Sequence, residues 1–183
     1  MSPREWVAAA LAAVVSFAVA AGGCAPKEPA AAEPQVFTNQ AKGFTITFPA
    51  DWKTWEGGRG TDVEGYPPDQ TDPNVPRDMV FVYAENLPDV LTADEYAKVK
   101  SEQGQKGLPE YKEFESKTVD VGGTPARRVI YSAVMGEAQR KSLAYFLVRE
   151  RRGYMVIGTA DPSRFDARVP EFDAIAATFK LNP

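Results

Sequence analysis

The sequence predicts an α+β fold built on a mainly antiparallel sheet, with helices packed on one or both of its faces. Three observations carry this. Residues 126–160 hold three consecutive apolar runs joined by short turns, which is the signature of a strand meander. Thr92-Ala93-Asp94-Glu95 opens a helix with a capping box, the hydroxyl and the carboxylate each meeting a backbone N–H of the other residue. Phe165, Phe172, Ile175 and Phe179 recur at helical spacing near the end of the chain, with Val169 and Ala176 beside them.

Taken in order, Phe44-Thr45-Ile46-Thr47-Phe48 alternates cleanly and reads as a half-buried strand closed by Pro49 and followed by Trp52. Lys53 to Asp78 is rich in Gly, Pro and acids, shows neither period, and reads as a long loop of the kind that is functional or mobile. Met79 to Ala84 is a second strand with both faces covered. The helix that starts at Thr92 presents Ala93, Tyr96 and Val99 as its apolar stripe and ends around Gly104 to Gly107. Tyr111 to Val121 is a polar-edged strand, turned at Gly122-Gly123. The meander strands are 126–134, 140–149 and 154–160. Asp161-Pro162 ends the last of them, and Pro170 places the regular terminal helix from about Val169 onward.

Composition narrows the function classes. The chain has 183 residues, 44% hydrophobic and 25% charged, which is a globular profile with room for one domain. A formal charge of −4 argues against nucleic acid as a partner, because that needs a concentrated basic surface. With no His and one Cys, imidazole-based catalysis, His-containing metal sites and internal disulfides are all excluded. No cofactor is expected.

The amino terminus is the most informative stretch. Met1 to Glu5 is polar, Trp6 to Ala21 is uncharged and Ala-rich, and Ala21-Gly22-Gly23 leads to Cys24. An apolar core of this length before small residues reads as a secretory signal. A weak membrane-spanning anchor is the alternative, since uncharged residues continue to Pro26. The segment resembles a bacterial lipoprotein signal, in which small residues precede a cysteine that becomes the lipidated amino terminus. Ala21 stands where that pattern prefers Leu, and a buried or incidental thiol in a secreted protein is the alternative, but the lack of a second cysteine and the place of Cys24 at the end of the apolar run favour lipidation. The resemblance implies a diacylglyceryl group on Cys24 and commonly a third acyl chain, and two or more chains hold a protein stably at a bilayer. The expected organisation is a signal over 1–23, a lipidated Cys24 with a Pro/Ala-rich tether over 24–40, and a folded domain over 41–183. A tether over Ala25 to Gln40 reaches at most about 50 Å.

Three motifs together resemble the PsbP-like superfamily, which includes DcrB-type bacterial lipoproteins. They are Phe44-Thr45-Ile46-Thr47-Phe48-Pro49 with Trp52, Gly122-Gly123-Thr124-Pro125-Ala126 before a long strand, and Phe172-Asp173-Ala174-Ile175-Ala176-Ala177-Thr178-Phe179. The resemblance covers about residues 42–180 and implies an α/β/α sandwich around an antiparallel sheet, with no shared catalytic set. It implies roles from photosystem II assembly or stability to other envelope functions. Some photosystem and cyanobacterial members carry metal-binding histidines, which this chain cannot match. Its acidic loop over 53–78 is also longer than that branch would have.

Several residues are candidates for sites. Asp62, Glu64, Asp69, Asp72 and Asp78 are oxygen ligands in one loop, yet their spacing matches no calcium loop, and a solvated loop is the simpler reading. Trp55 and Tyr66 are candidate partner contacts, against packing on their own domain. Arg127 and Arg128 must face opposite sides of a strand, and they are candidates for a ligand or partner site if one reaches a groove beside an acid such as Glu115 or Asp120, against ordinary surface charge as the simpler reading. Arg140-Lys141 and Arg151-Arg152 sit toward opposite ends of one strand and do not form one patch. Gly57-Gly58-Arg59-Gly60 lacks the ending of a phosphate loop.

The expectation is a non-catalytic, lipid-anchored protein of the cell envelope. It would lie outside the cytoplasm, facing the periplasm in a Gram-negative cell, and bind an envelope protein partner. The alternatives are a photosystem II-associated factor, a carboxylate-dependent hydrolase, or a membrane-anchored sensor domain.

Overall fold

The computed structural model describes residues 32–58, 60–70 and 77–182. Residues 1–31, where the signal, Cys24 and most of the tether are expected, lie outside the described residues, as do Arg59 and Asp72.

The elements run β1 (Gln35–Asn39), β2 (Phe44–Phe48), β3 (Lys53–Glu56), β4 (Val63–Tyr66), β5 (Met79–Asn86), α1 (Ala93–Gly107), β6 (Lys112–Val121), β7 (Thr124–Met135), β8 (Ala138–Arg149), β9 (Arg152–Ala160), α2 (Pro162–Ala177) and β10 (Lys180–Leu181). Seven strands form an antiparallel sheet in the order β3-β4-β5-β9-β8-β7-β6, and β1, β2 and β10 form a small second sheet. This is an α+β fold of PsbP-like α/β/α type: helix α1 covers one face of the large sheet, while α2 and the small sheet cover the other.

Strand alternation builds the two cores. Leu143, Tyr145 and Leu147 of β8 point toward α2 and join Phe44, Ile46, Phe48, Val80, Val82, Val156, Phe165, Phe172 and Ile175. The intervening Ala144 and Phe146 point the other way and pack with Tyr96, Ala97, Val129, Tyr131 and Ile157 under α1. Strand β9 carries one glycine on each face as a socket for an aromatic ring. A Cβ at Gly153 would lie 2.5 Å from the Tyr96 ring of α1, and one at Gly158 would lie 2.3 Å from Phe172 of α2. The absence of a side chain at those two positions lets both helices approach the same strand.

Helix α1 starts as the capping box requires. Thr92 Oγ1 accepts from the Glu95 N–H at 3.2 Å, and the Thr92 N–H donates to Glu95 Oε2 at 2.8 Å. Its buried residues are Tyr96 and Ala97, whereas Val99 is exposed, so the stripe is rotated from the expected one.

Three boundaries and the burial of one strand differ from expectation. The ordered body begins before Ala41, because Gln35–Asn39 pairs with Phe44–Phe48 and Gln35 Nε2 donates to the carbonyls of Pro49 and Ala50, each at 3.2 Å. The span 53–78 is not a structureless loop: β3 and β4 form a hairpin inside it, and β4 extends the sheet from β5. Met79, Phe81 and Tyr83 of β5 are half-buried, so only the face of Val80, Val82 and Ala84 is fully covered. Helix α2 begins at Pro162 rather than near Val169. Asp161 caps it by accepting from the Ser163 N–H at 2.9 Å, and Pro162 occupies a first-turn position where a missing N–H costs nothing. The burial of Phe165, Phe172 and Ile175 outweighs the interior Pro170, whose penalty is about 3 kcal/mol.

Candidate functional site

The predicted contact residues fall in two places. Trp55 on β3 and Tyr66 on β4 come together edge to face, with ring centroids 6.0 Å apart. Trp55 is 55% exposed, so the pair presents an aromatic surface at the short edge of the sheet. The Tyr66 hydroxyl donates to Glu64, which is buried and also accepts from Thr61 Oγ1 at 2.9 Å, and the Arg77 guanidinium lies 5.6 Å from the Tyr66 ring centroid.

Arg127 and Arg128 face opposite sides of β7, as alternation requires. Arg127 points to the α1 side, where Nε donates to Ser116 Oγ at 2.8 Å and Nη1 lies 3.6 Å from Asp94. Arg128 points to the α2 side, is buried, and pairs with Glu115 and Asp173 while Nε donates to the Tyr145 hydroxyl at 3.3 Å. Burial lowers the Arg128 pKa, but Tyr145 and Asp173 outweigh it and hold the group above its ordinary value. Glu115 is held below the usual carboxylate range by its Lys117 hydrogen bond, which burial opposes and Arg128 reinforces. Arg128 thus joins sheet to helix. Asp120, the other acid considered for it, instead accepts from the Gly123 N–H at 2.8 Å within the β6–β7 turn.

The acids of the 62–78 stretch disperse. Asp62 pairs with Lys42 at 2.6 Å and accepts from the Ala84 N–H at 2.8 Å; Asp69 pairs with Arg168. Among the described residues no three potential metal ligands converge. Asp78 is different, being fully buried and ringed by arginines. Its oxygens accept from Arg164 Nε at 3.0 Å and Nη2 at 2.9 Å, from Arg168 Nε at 3.2 Å, and from the Asp161 N–H at 3.1 Å. Arg140, also buried, lies 3.6 Å away and donates to the Arg77 carbonyl at 2.8 Å. Asp69, Asp161 and Glu171 surround these cations, so this end of the sheet is charge-balanced.

At the other end of the same strands the charges do not balance. The β8–β9 turn (Arg149, Glu150, Arg151, Arg152), the end of β5 (Asn86), the β1–β2 turn (Lys42, Gly43), Tyr154 and Asn182 line an open cavity of about 400 Å³. The three arginines are fixed by neutral acceptors: Arg149 donates to the Asn182 carbonyl, Arg151 to the Pro88 carbonyl, and Arg152 to the Ala41 carbonyl at 3.0 Å and to Asn86 Oδ1 at 3.4 Å. Among the described residues none of the three lies within 4.0 Å of a carboxylate. The sequence showed Arg151 and Arg152 but gave no sign that Lys42, more than a hundred positions away, would join them.

The PsbP-like architecture is shared with solved structures. Cyanobacterial PsbP (CyanoP) from Synechocystis superposes with a TM-score of 0.61 at 18% identity, over 88% of this chain and 98% of that one. LpqN of Mycobacterium tuberculosis, a protein involved in cell envelope biogenesis, gives 0.62 at 13% identity over 85% and 87%. The Ran-binding protein Mog1p of Saccharomyces cerevisiae gives 0.56 at 9% identity over 81% and 95%. No family model matches the chain, and no curated protein matches it in sequence.

Proposed function

We propose that the protein is a non-catalytic, lipid-anchored binding protein of the bacterial cell envelope, held at a membrane through Cys24 and engaging an envelope protein partner. The observation that carries this reading is the short path from Cys24 to the folded body. With β1 starting at Gln35, the link Ala25–Pro34 can extend at most about 35 Å, shorter than a tether running to Gln40. A body so confined meets partners that sit at or near the bilayer. The Trp55–Tyr66 pair offers a contact for such a partner, because a half-exposed aromatic gains most when an interface covers it. The likeness to LpqN fits an envelope setting.

The anchor is tested by metabolic labelling with palmitate and intact-mass measurement on the protein and its Cys24→Ser variant. Labelling of the wild type that disappears in the variant is expected; equal labelling of both, or a free thiol at position 24 in the native protein, refutes the anchor. A second reading, a photosystem II assembly or stability factor, is favoured by the likeness to cyanobacterial PsbP along nearly all of that chain. Stoichiometric co-purification with photosystem II from a photosynthetic source would select it.

A further inference from the structure

We infer that the cavity bounded by Lys42, Arg149, Arg151 and Arg152 is a binding site for a phosphoryl group, carried by a phospholipid head or by a soluble phosphate ester. The inference stands apart from the anchor and holds whether or not Cys24 carries lipid.

The argument starts from charge. Three arginines converge on one cavity that Lys42 also lines, the Lys42 ammonium being paired with Asp62 at 2.6 Å, and among the described residues Glu150 is the carboxylate that lines it, on a chain whose formal net charge is −4. A positive corner on an acidic protein focuses anions. The guanidiniums are also held in place before any ligand arrives. Their anchors at Asn182, Pro88, Ala41 and Asn86 are neutral oxygens, which fix direction without cancelling charge. Arg149 and Arg151 each use one N–H in this way and keep most of their five donors. The contrast with Asp78 is instructive: there the arginines meet carboxylates and close on themselves.

The backbone adds a second observation. Glu150 sits in the left-handed region at φ 55, a conformation that costs a non-glycine residue about 1–2 kcal/mol. A glycine would relax the β8–β9 turn, yet the turn keeps charged side chains throughout. Strain retained at a turn that displays three arginines is the pattern of a functional site.

The shape selects the ligand. The arginines border one open cavity whose lining residues are polar or charged apart from Gly43 and the Tyr154 ring, a setting that suits a small anion better than an acyl tail. A compact phosphoryl oxyanion, singly charged in a phospholipid diester and close to doubly charged in a monoester, matches forked guanidinium donors in number and direction. Burial holds the Tyr154 hydroxyl pKa above its ordinary value, with Arg152 and Arg149 pulling it down and Glu150 adding to the rise. That hydroxyl donates to the Lys42 carbonyl at 2.8 Å and ties the β1–β2 turn to the site.

The test uses the full chain in neutral detergent, isotopically labelled, titrated separately with inorganic phosphate, with short-chain phosphatidylglycerol below its micelle concentration, and with polyglutamate. Both phosphorus-containing probes are expected to shift amides at Lys42 and Arg149–Arg152 with millimolar affinity, weakening as salt rises. In the double variant Arg149→Gln/Arg151→Gln, both exposed positions, affinity should fall at least about fivefold, and the Arg→Lys pair, which keeps the charge but not the forked donors, should recover part of it. Tighter binding of phosphatidylglycerol than of phosphate assigns a lipid head, and the reverse assigns a soluble ester. Absence of shifts with both probes, unchanged affinity in the Gln variant, or a stronger response to polyglutamate than to either overturns the assignment.

Discussion

Replacing Asp78 by Asn removes the carboxylate that holds β5, β8 and the start of α2 together. Asp78 is fully buried, Arg140 is 4% exposed, and Arg164 and Arg168 both donate to it. Breaking a buried ion pair by removing one partner costs about 3–5 kcal/mol, because the other charge stays in a poor solvent. Arg164 is 38% exposed and recovers water, and Arg168 retains Asp69 and Glu171, so the lower end of that range applies. We expect a loss of about 3 kcal/mol, or a midpoint lower by about 6–12 °C for a body of this size. The pH dependence has a definite sign. Burial raises the Asp78 pKa, but the Arg164 hydrogen bond, the Asp161 N–H and Arg168 outweigh it and hold the carboxyl below its ordinary value. The unfolded chain therefore binds the proton more readily, so this stabilisation is complete above about pH 4 and disappears as pH falls through the lower folded value. The assay is urea unfolding of wild type and Asp78→Asn at neutral and acid pH. A difference below about 1 kcal/mol at neutral pH, or one that does not narrow below about pH 4, refutes the reasoning.

Gly158→Ala should destabilise by about 1–3 kcal/mol, since the new methyl would press into the Phe172 ring from 2.3 Å; a neutral or raised midpoint on thermal unfolding contradicts the socket geometry. Arg128→Gln should lower stability by about 2 kcal/mol by leaving Asp173 and the Tyr145 hydroxyl without their cation. Amide exchange checks where the loss is felt: faster exchange in α2 is expected, and an effect confined to β6 opposes this role for the Asp173 contact.

Much of the fold is legible in the sequence because the strands that form it alternate against two cores. Strands β5 to β9 could be read within a few residues, and the Thr92 box fixed the start of α1. What escaped is set by distant partners. Gln-Val-Phe-Thr-Asn holds three strand-favouring residues, Val36, Phe37 and Thr38, but it is short and follows a Pro/Ala-rich stretch, and pairing with β2 makes it β1. β3 and β4 are four residues each, too short to show a period, and Gly65 in β4 reads as loop although it makes room for the Phe48 ring. Pro170 pointed to a late helix start because its penalty is local, whereas the burial of Phe165 that offsets it is not. Charge was the least legible feature. Arg140 and Arg149 look alike in the sequence, and only assembly makes one buried beside Asp78 and leaves the other exposed.

That difference bears on how basic residues in this fold are to be interpreted. The central strands β5, β9 and β8 run from Asp78, Ala160 and Arg140 at one end to Asn86, Arg152 and Arg149 at the other, so β8 places an arginine at each end: Arg164 and Arg168 of α2 join Arg140 at the first, and Arg151 and Arg152 join Arg149 at the second. At the first end every cation lies among buried or neighbouring acids, and the cluster can be understood from folding alone, because an uncompensated charge there would oppose burial. At the second end the three arginines remain near solvent, oriented by neutral oxygens with no carboxylate within 4.0 Å among the described residues, so charge pairing supplies no reason for their convergence. Neutralising the turn should accordingly leave the body as stable as before or more so, since mutual repulsion among like charges would be relieved. A double variant Arg149→Gln/Arg151→Gln that unfolds well below the wild type would show that these residues serve the fold, and would remove the physical ground for assigning them a ligand.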